Sequence, residues 1–207
     1  MTNSAFNVYT IGHSTHTYER FAQLLRDYNV SFVIDVRSVP QSTRSPQFGK
    51  RALRDAIRSD GMRYRYAGNV LGGRPADPGF YQDEQVQYDR VASSEPFRKA
   101  LERIRLAART HVVALVCAEG DPIACHRFLL VARHLKSPEL GIIHILPDGR
   151  TEPNAATEVR ILRQAGLLQS DMFAPTLEAL EKAYEIQSRR VAYSVESAQT
   201  SGGDPVR

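Results

Sequence analysis

Apolar positions along this chain fall into two rhythms. Residues 31–36, 112–116 and 141–146 are runs in which most positions are apolar, and 7–12 reads as a further short strand. Runs of that length and density predict strands buried on both faces of a sheet. Residues 63–67 alternate instead, as a strand with one wet face does. Between the runs the spacing turns helical. Phe21, Leu24, Leu25 and Tyr28 share one face, with Thr17 placed to cap it. Ala52, Leu53, Ala56 and Ile57 do the same in a helix over 49–59 that Gly61 ends. Phe97, Leu101, Ile104 and Ala108 mark a helix over 95–109. A weaker pattern predicts a helix over 81–91, and two more are expected over 153–166 and 175–190.

Strands that alternate with helices of this length form βαβ units, whose strands run parallel. The expectation is an α/β domain over residues 1–166. It has a single open, mostly parallel sheet of about five strands with helices on both faces, in a Rossmann-like three-layer arrangement. Residues 167–193 read as a helical extension and 194–207 as a polar, disordered tail. In open parallel sheets ligands bind at the strands' C-terminal edge. The residues that end the strands here are unusually reactive: His13 and Ser14, Asp35 and Arg37, Tyr66, Cys117 and Glu119, and His144 or Asp148.

The stretch 112–133, VVALVCAEGDPIACHRFLLVAR, is the densest of these. An apolar strand runs into Cys117, Gly120-Asp121-Pro122 breaks it, and a helix is expected to start at Pro122 with Asp121 as its cap. Cys125, His126 and Arg127 would then occupy a first helical turn, whose free N–H groups suit an anion. Asp35 sits inside an apolar run, and a carboxylate there needs a partner. Arg37, two residues on along the same strand face, can supply it.

With 207 residues and 42% apolar composition the chain can bury an ordinary core. Two cysteines make no disulfide framework, and a reducing cytoplasm is expected. No run is apolar enough to span a bilayer, and the N-terminus lacks a secretory pattern. Net charge is only +4, but nine Arg or Lys lie between Arg37 and Arg74 against Asp55 and Asp60 alone. That excess favours a phosphate-bearing small molecule or nucleic acid as partner.

TIGHST (10–15), IDVRSVPQSTRSPQF (34–48), LGGRP (71–75) and CAEGDPIACHR (117–127) together resemble the hallmarks of domain-of-unknown-function family 488. The resemblance runs from Tyr9 to Gly166. It implies a compact α/β domain of a bacterial or archaeal cytoplasm and supplies no reaction.

Three functions follow from the residues. The first is an enzyme acting on a phosphate-bearing substrate. Asp35, His13, Cys117 and Glu119 would be catalytic, and Arg37, Arg44, Arg74, Arg127, His126 and Ser14 would bind the anion. No cofactor is evident for it. Known phosphate loops are excluded: residue 123 is Ile where a cysteine phosphatase loop needs Arg, and neither GxxxxGK[ST] nor GxGxxG occurs. The second is a metal-dependent hydrolase or lyase with a divalent ion on Cys117, Cys125 and His126, with His13 as a further group at the metal. The third is a non-catalytic nucleic-acid binder using Lys50, Arg54, Arg58, Tyr64 and Tyr66. The groups expected to converge on one cleft are His13, Asp35, Arg37, Cys117, Glu119 and His126. The oligomeric state is not legible.

Overall fold

A computed structural model describes residues 5–41, 43–168 and 176–195. In chain order the elements are β1 (Phe6–Gly12), α1 (Tyr18–Asp27), β2 (Phe32–Asp35), α2 (Lys50–Ser59), β3 (Arg63–Tyr66) and α3 (Gly68–Leu71). There follow β4 (Tyr81–Gln82), β5 (Gln85–Val86), α4 (Tyr88–Ser93), α5 (Glu95–Ala108), β6 (Val113–Cys117), α6 (Arg133–Leu135), β7 (Leu140–Ile145), β8 (Thr151–Pro153), α7 (Asn154–Gln164) and α8 (Leu177–Val191). Six strands form one sheet in the order β3-β2-β6-β1-β7-β8. All its pairings are parallel except β7 with β8.

The sheet is the middle of three layers. On one face Phe21, Leu24 and Leu25 of α1 and Leu53 and Ile57 of α2 pack on Ile11, Val33, Ala114 and Val116. On the other, residues of α5, α7, α8 and the segment before α6 pack on Val8, Ile34, Val113, Leu115 and Cys117. Strand residues alternate between the two cores because successive side chains leave a strand on opposite faces. Thr17 caps α1 by accepting from the Arg20 N–H, as its place before the apolar stripe predicts.

Three local expectations are corrected. The weak helix over 81–91 is a hairpin, β4 with β5, followed by α4. Its turn residues Asp83 and Glu84 both take positive φ without being glycine, so the usual hairpin signal is missing. The sheet gains a sixth strand, antiparallel β8, because Pro147-Asp148-Gly149 turns the chain straight back along β7. The helix expected from Pro122 does not run through. Pro122–Ala124 is a single 3-10 turn, capped by Asp121 as expected, and Cys125 is extended at φ −143° and ψ 139°. A π-helical segment, Arg127–Ala132, then leads into α6.

Helix α8 occupies most of the span read as a helical extension, with Tyr184 and Ala183 buried in the larger core. Of the tail expected from residue 194, Ser194 and Val195 bond to the β4–β5 hairpin, and the remainder lies outside the described residues. No helix among the described residues is long and apolar enough to cross a membrane.

Candidate metal centre

The C-terminal ends of β6 and β1 are bolted together beyond their last strand residues. The His13 N–H donates to Cys117 O at 2.9 Å and the Ser14 N–H to Ala118 O at 2.8 Å. Behind this edge Gly12 passes so close to the following loop that a Cβ would lie 1.7 Å from the Glu119 carbonyl oxygen. Arg127 completes the brace. It is fully buried and donates to Thr10 Oγ1 at 3.3 Å, to Gly120 O at 2.8 Å and to Glu119 O. Its guanidinium is spent on holding the loop, so the anion-binding role expected of Arg127 has no exposed group to perform it. The helix-start anion site is absent for a related reason: the Arg127 N–H is directed at Cys125 Sγ at 3.4 Å, not at solvent.

The loop thereby gathers two sulfurs, an imidazole and a carboxylate. Cys117 closes β6, and the extended backbone at Cys125 brings its sulfur back to the same place. Sγ of Cys117, Sγ of Cys125 and a ring nitrogen of His126 all lie within 4.8 Å of one another. The two sulfurs are 3.6 Å and 3.9 Å from His126 Nδ1. Both thiols donate to Glu119 Oε2 at 3.0 Å. The other ring nitrogen, Nε2, lies 3.0 Å from Val36 O. A carbonyl only accepts, so Nε2 carries the hydrogen and the Nδ1 lone pair faces the sulfurs. Gly73 backs the ring, where a Cβ would stand 2.9 Å from His126 Cβ.

Electrostatics divide the four groups. Burial drives the Cys117 thiol well above its ordinary pKa, and Cys125 beside it adds to the rise. Burial opposes ionisation of Cys125 too, but there the Cys117 hydrogen bond, the Arg127 guanidinium and His126 outweigh it and bring the pKa well down. For His126, burial favours the neutral ring, yet Cys125 and Glu119 raise its pKa. Glu119 is exposed to the cleft as a residue, while loss of water at its carboxyl end and the nearness of Cys125 raise its pKa.

This cluster forms the floor of a cleft of about 470 Å³ lined also by Arg37, Ser38, Arg74, Tyr88, Arg190 and Tyr193. Of the six groups expected to converge, Arg37, Cys117, Glu119 and His126 line it, and Cys125 and Arg74 join them. Asp35 and His13 do not. Asp35 is paired in register with Val116, one residue short of Cys117, so their side chains leave the sheet on opposite faces. The Asp35 carboxylate is fully buried and accepts from Arg37 N, Nε and Nη2 and from the Tyr64 hydroxyl. It holds Arg37 at the cleft rim. His13 stacks on Phe48 at 4.3 Å and bonds to Ser14 O, with burial and Arg37 lowering its pKa. Ser14 and Arg44 also lie outside the lining. Sequence inspection missed Tyr88, Arg190 and Tyr193. None stands in a motif, and Arg190 is in the last turn of, and Tyr193 follows, a helix whose position over the cleft is a matter of packing.

No curated protein and no solved structure matches the chain. A family profile covers residues 17–134, a span that holds Arg37, Arg74, Cys117, Glu119, Cys125 and His126 and stops short of α8. On that match, over more than half of its length, the chain belongs to the family described as Domain of unknown function DUF488.

Proposed function

We propose that this protein is a metal-dependent hydrolase of phosphate-bearing substrates, with a divalent ion, zinc foremost, held by Cys117, Cys125 and His126. The observation that supports it is the donor geometry. A tetrahedral ion with ordinary zinc–sulfur and zinc–nitrogen lengths sets a sulfur and a nitrogen about 3.6 Å apart. The two sulfur–nitrogen separations here are 3.6 Å and 3.9 Å. The hydrogen bond from His126 to Val36 O is the outer-shell contact that orients a ligating imidazole. Three protein ligands with a carboxylate beside them would suit a catalytic zinc, which keeps a position for water or substrate, better than a structural one.

The bound ion would supply Lewis acidity and lower the pKa of a water at the open position. Glu119, the carboxylate in the cleft lining, would serve as the acid–base group of the site. Arg74, exposed in the cleft lining and without an ion pair among the described residues, would give the site a preference for anions. Free nucleophilic cysteine fits less well, because Cys117 is 2% exposed and Cys125 1%. The site needs both thiols reduced, in keeping with a cytoplasmic setting.

Metal analysis of protein purified without an affinity tag tests this. One equivalent of zinc or iron is expected, and cobalt substitution should bring a thiolate-to-cobalt absorption band. Cys117→Ser, Cys125→Ser and His126→Ala should lose both. Glu119→Gln should keep the metal and lose hydrolysis. Wild-type protein that takes up cobalt no more tightly than the cysteine variants would overturn the proposal.

A further inference from the structure

Residues 190–193, at and after the C-terminus of α8, also line the cleft. Gln187 Nε2 donates to Ile123 O at 2.9 Å and pins α8 against the loop that carries the cluster. The chain then leaves α8 and runs beside the hairpin. Val86 N–H donates to Tyr193 O at 3.0 Å, Val195 N–H to Glu84 O at 3.1 Å, and Ser194 bridges Gln85 in antiparallel register. Gln85 Nε2 also reaches Arg189 O and Ala192 O. These bonds place Tyr193 so that its ring receives the Arg74 guanidinium at 4.5 Å. The backbone N–H of Arg74 is held in turn by Ser38 Oγ at 2.8 Å.

Charge at this mouth is unbalanced. Nearby arginines are ion-paired: Arg133 with Asp89 and Glu181, Arg160 with Asp121 and Glu152, Arg189 with Glu185. Arg74 and Arg190 make no ion pair among the described residues, yet both line the cleft. Its one lining carboxylate, Glu119, is engaged with the sulfurs. Two exposed guanidiniums that line the same cleft without an ion pair raise the positive potential there. A phosphate group suits them because each guanidinium can offer a fork of donors.

We infer that Arg74 and Arg190 form a phosphate subsite above the Cys117–Cys125–His126 cluster, with Tyr193 positioning Arg74. This deepens the hydrolase proposal by naming where the substrate's phosphate is held, and it places half of that subsite outside the family-matched residues. The phosphate can belong to a free phosphomonoester or to a nucleic-acid backbone.

Binding of inorganic phosphate, of a 5′-mononucleotide and of a single-stranded oligonucleotide lacking a terminal phosphate is measured on the full chain by calorimetry, with metal content assayed in parallel. Arg74→Gln and Arg190→Gln should each weaken phosphate binding about tenfold or more. Tyr193→Leu should weaken it less, and Tyr193→Phe, which keeps the ring, should restore it. Metal content should not change in any of the four. Tight mononucleotide binding alone identifies a phosphomonoester, and oligonucleotide binding that falls steeply with salt identifies a polymer; either upholds the subsite. Arginine variants that bind phosphate like wild type overturn it, as does wild type that binds none of the probes. Phosphate binding lost on metal removal but kept in Arg190→Gln defeats the subsite and spares the metal proposal. Arginine-dependent binding by a protein that holds no metal does the reverse.

Discussion

His126 Nε2 and the carbonyl oxygen of Val36, ninety residues apart in the chain, lie 3.0 Å from each other and set the tautomer of the imidazole. Gly73 presses on the same ring from behind. An added methyl at residue 73 would meet His126 Cβ and Cγ at 2.9 Å and has to displace the ring. Gly73→Ala is therefore expected to weaken cobalt binding about 10- to 100-fold, the range seen when outer-shell support of a ligand is lost. Competition with a coloured chelator measures it. Affinity equal to wild type would show that the ring position does not govern binding.

Gly12 poses a harder steric problem. A Cβ there falls 1.7 Å from the Glu119 carbonyl oxygen and 2.5 Å from its carbon, both backbone atoms of a braced loop. Neither can yield as a flexible side chain would. Gly12→Ala should destabilise the fold by about 2–4 kcal/mol, at the upper end for overpacking. Urea unfolding followed by circular dichroism reads the loss. A change below about 0.5 kcal/mol would mean the loop relaxes freely.

Asp35 and Arg37 make a buried pair, with Nη2 to Oδ2 at 2.6 Å and side chains 0% and 6% exposed. Asp35→Asn leaves the Arg37 charge without its counterion in a dry place. Breaking such a pair costs about 3–5 kcal/mol. The expected signature is a large fall in urea midpoint, with cobalt affinity little changed because Asp35 lies on the far face from the cluster. A variant that stays fully stable would remove the structural role assigned to this carboxylate.

His144 gives the fold a defined acid sensitivity. Its Nδ1 lies 2.7 Å from Thr10 Oγ1, and its Nε2 donates to Asn154 Oδ1 at 3.2 Å. Burial above all, then the charges of Arg127 and Arg160, lowers its pKa from 6.5 to about 3, against a smaller opposing effect of Asn154 and Asp121. The unfolded chain then binds a proton below pH 6.5 that the folded chain refuses until about pH 3. Stability is complete above pH 6.5 and is lost as pH falls through that window. At pH 5 the loss from this residue is about 2 kcal/mol. His144→Gln should be less stable at pH 7.5 yet show a flatter decline to pH 5. Equal slopes for the two proteins would exclude His144 as the cause.

Much of the architecture was legible in the order of residues. Strands β1, β2, β6 and β7 announce themselves because a strand covered on both faces must be apolar at nearly every position. Thr17, Asp121 and Gly61 mark element ends through short-range backbone chemistry that needs no distant partner. The β4–β5 hairpin escaped notice since Asp83 and Glu84 adopt a conformation that their side chains do not advertise. The break at Cys125 escaped because an extended residue between two turns leaves the apolar spacing almost helical.

The chain's own order was enough to name the reactive groups and the edge of the sheet that would carry them, since strand direction and connection handedness follow from local rules. It could not say which of those groups would meet. Parallel pairing sets Asp35 beside Val116 rather than Cys117, and one residue of register separates two faces of a sheet. Nor could it show that Arg127 would vanish into the loop it braces, or that Arg190 and Tyr193 would return from the far end of the chain to roof the cleft. Those outcomes depend on packing between segments remote in sequence, where a shift of a few ångströms decides whether a side chain binds a ligand or another part of the protein.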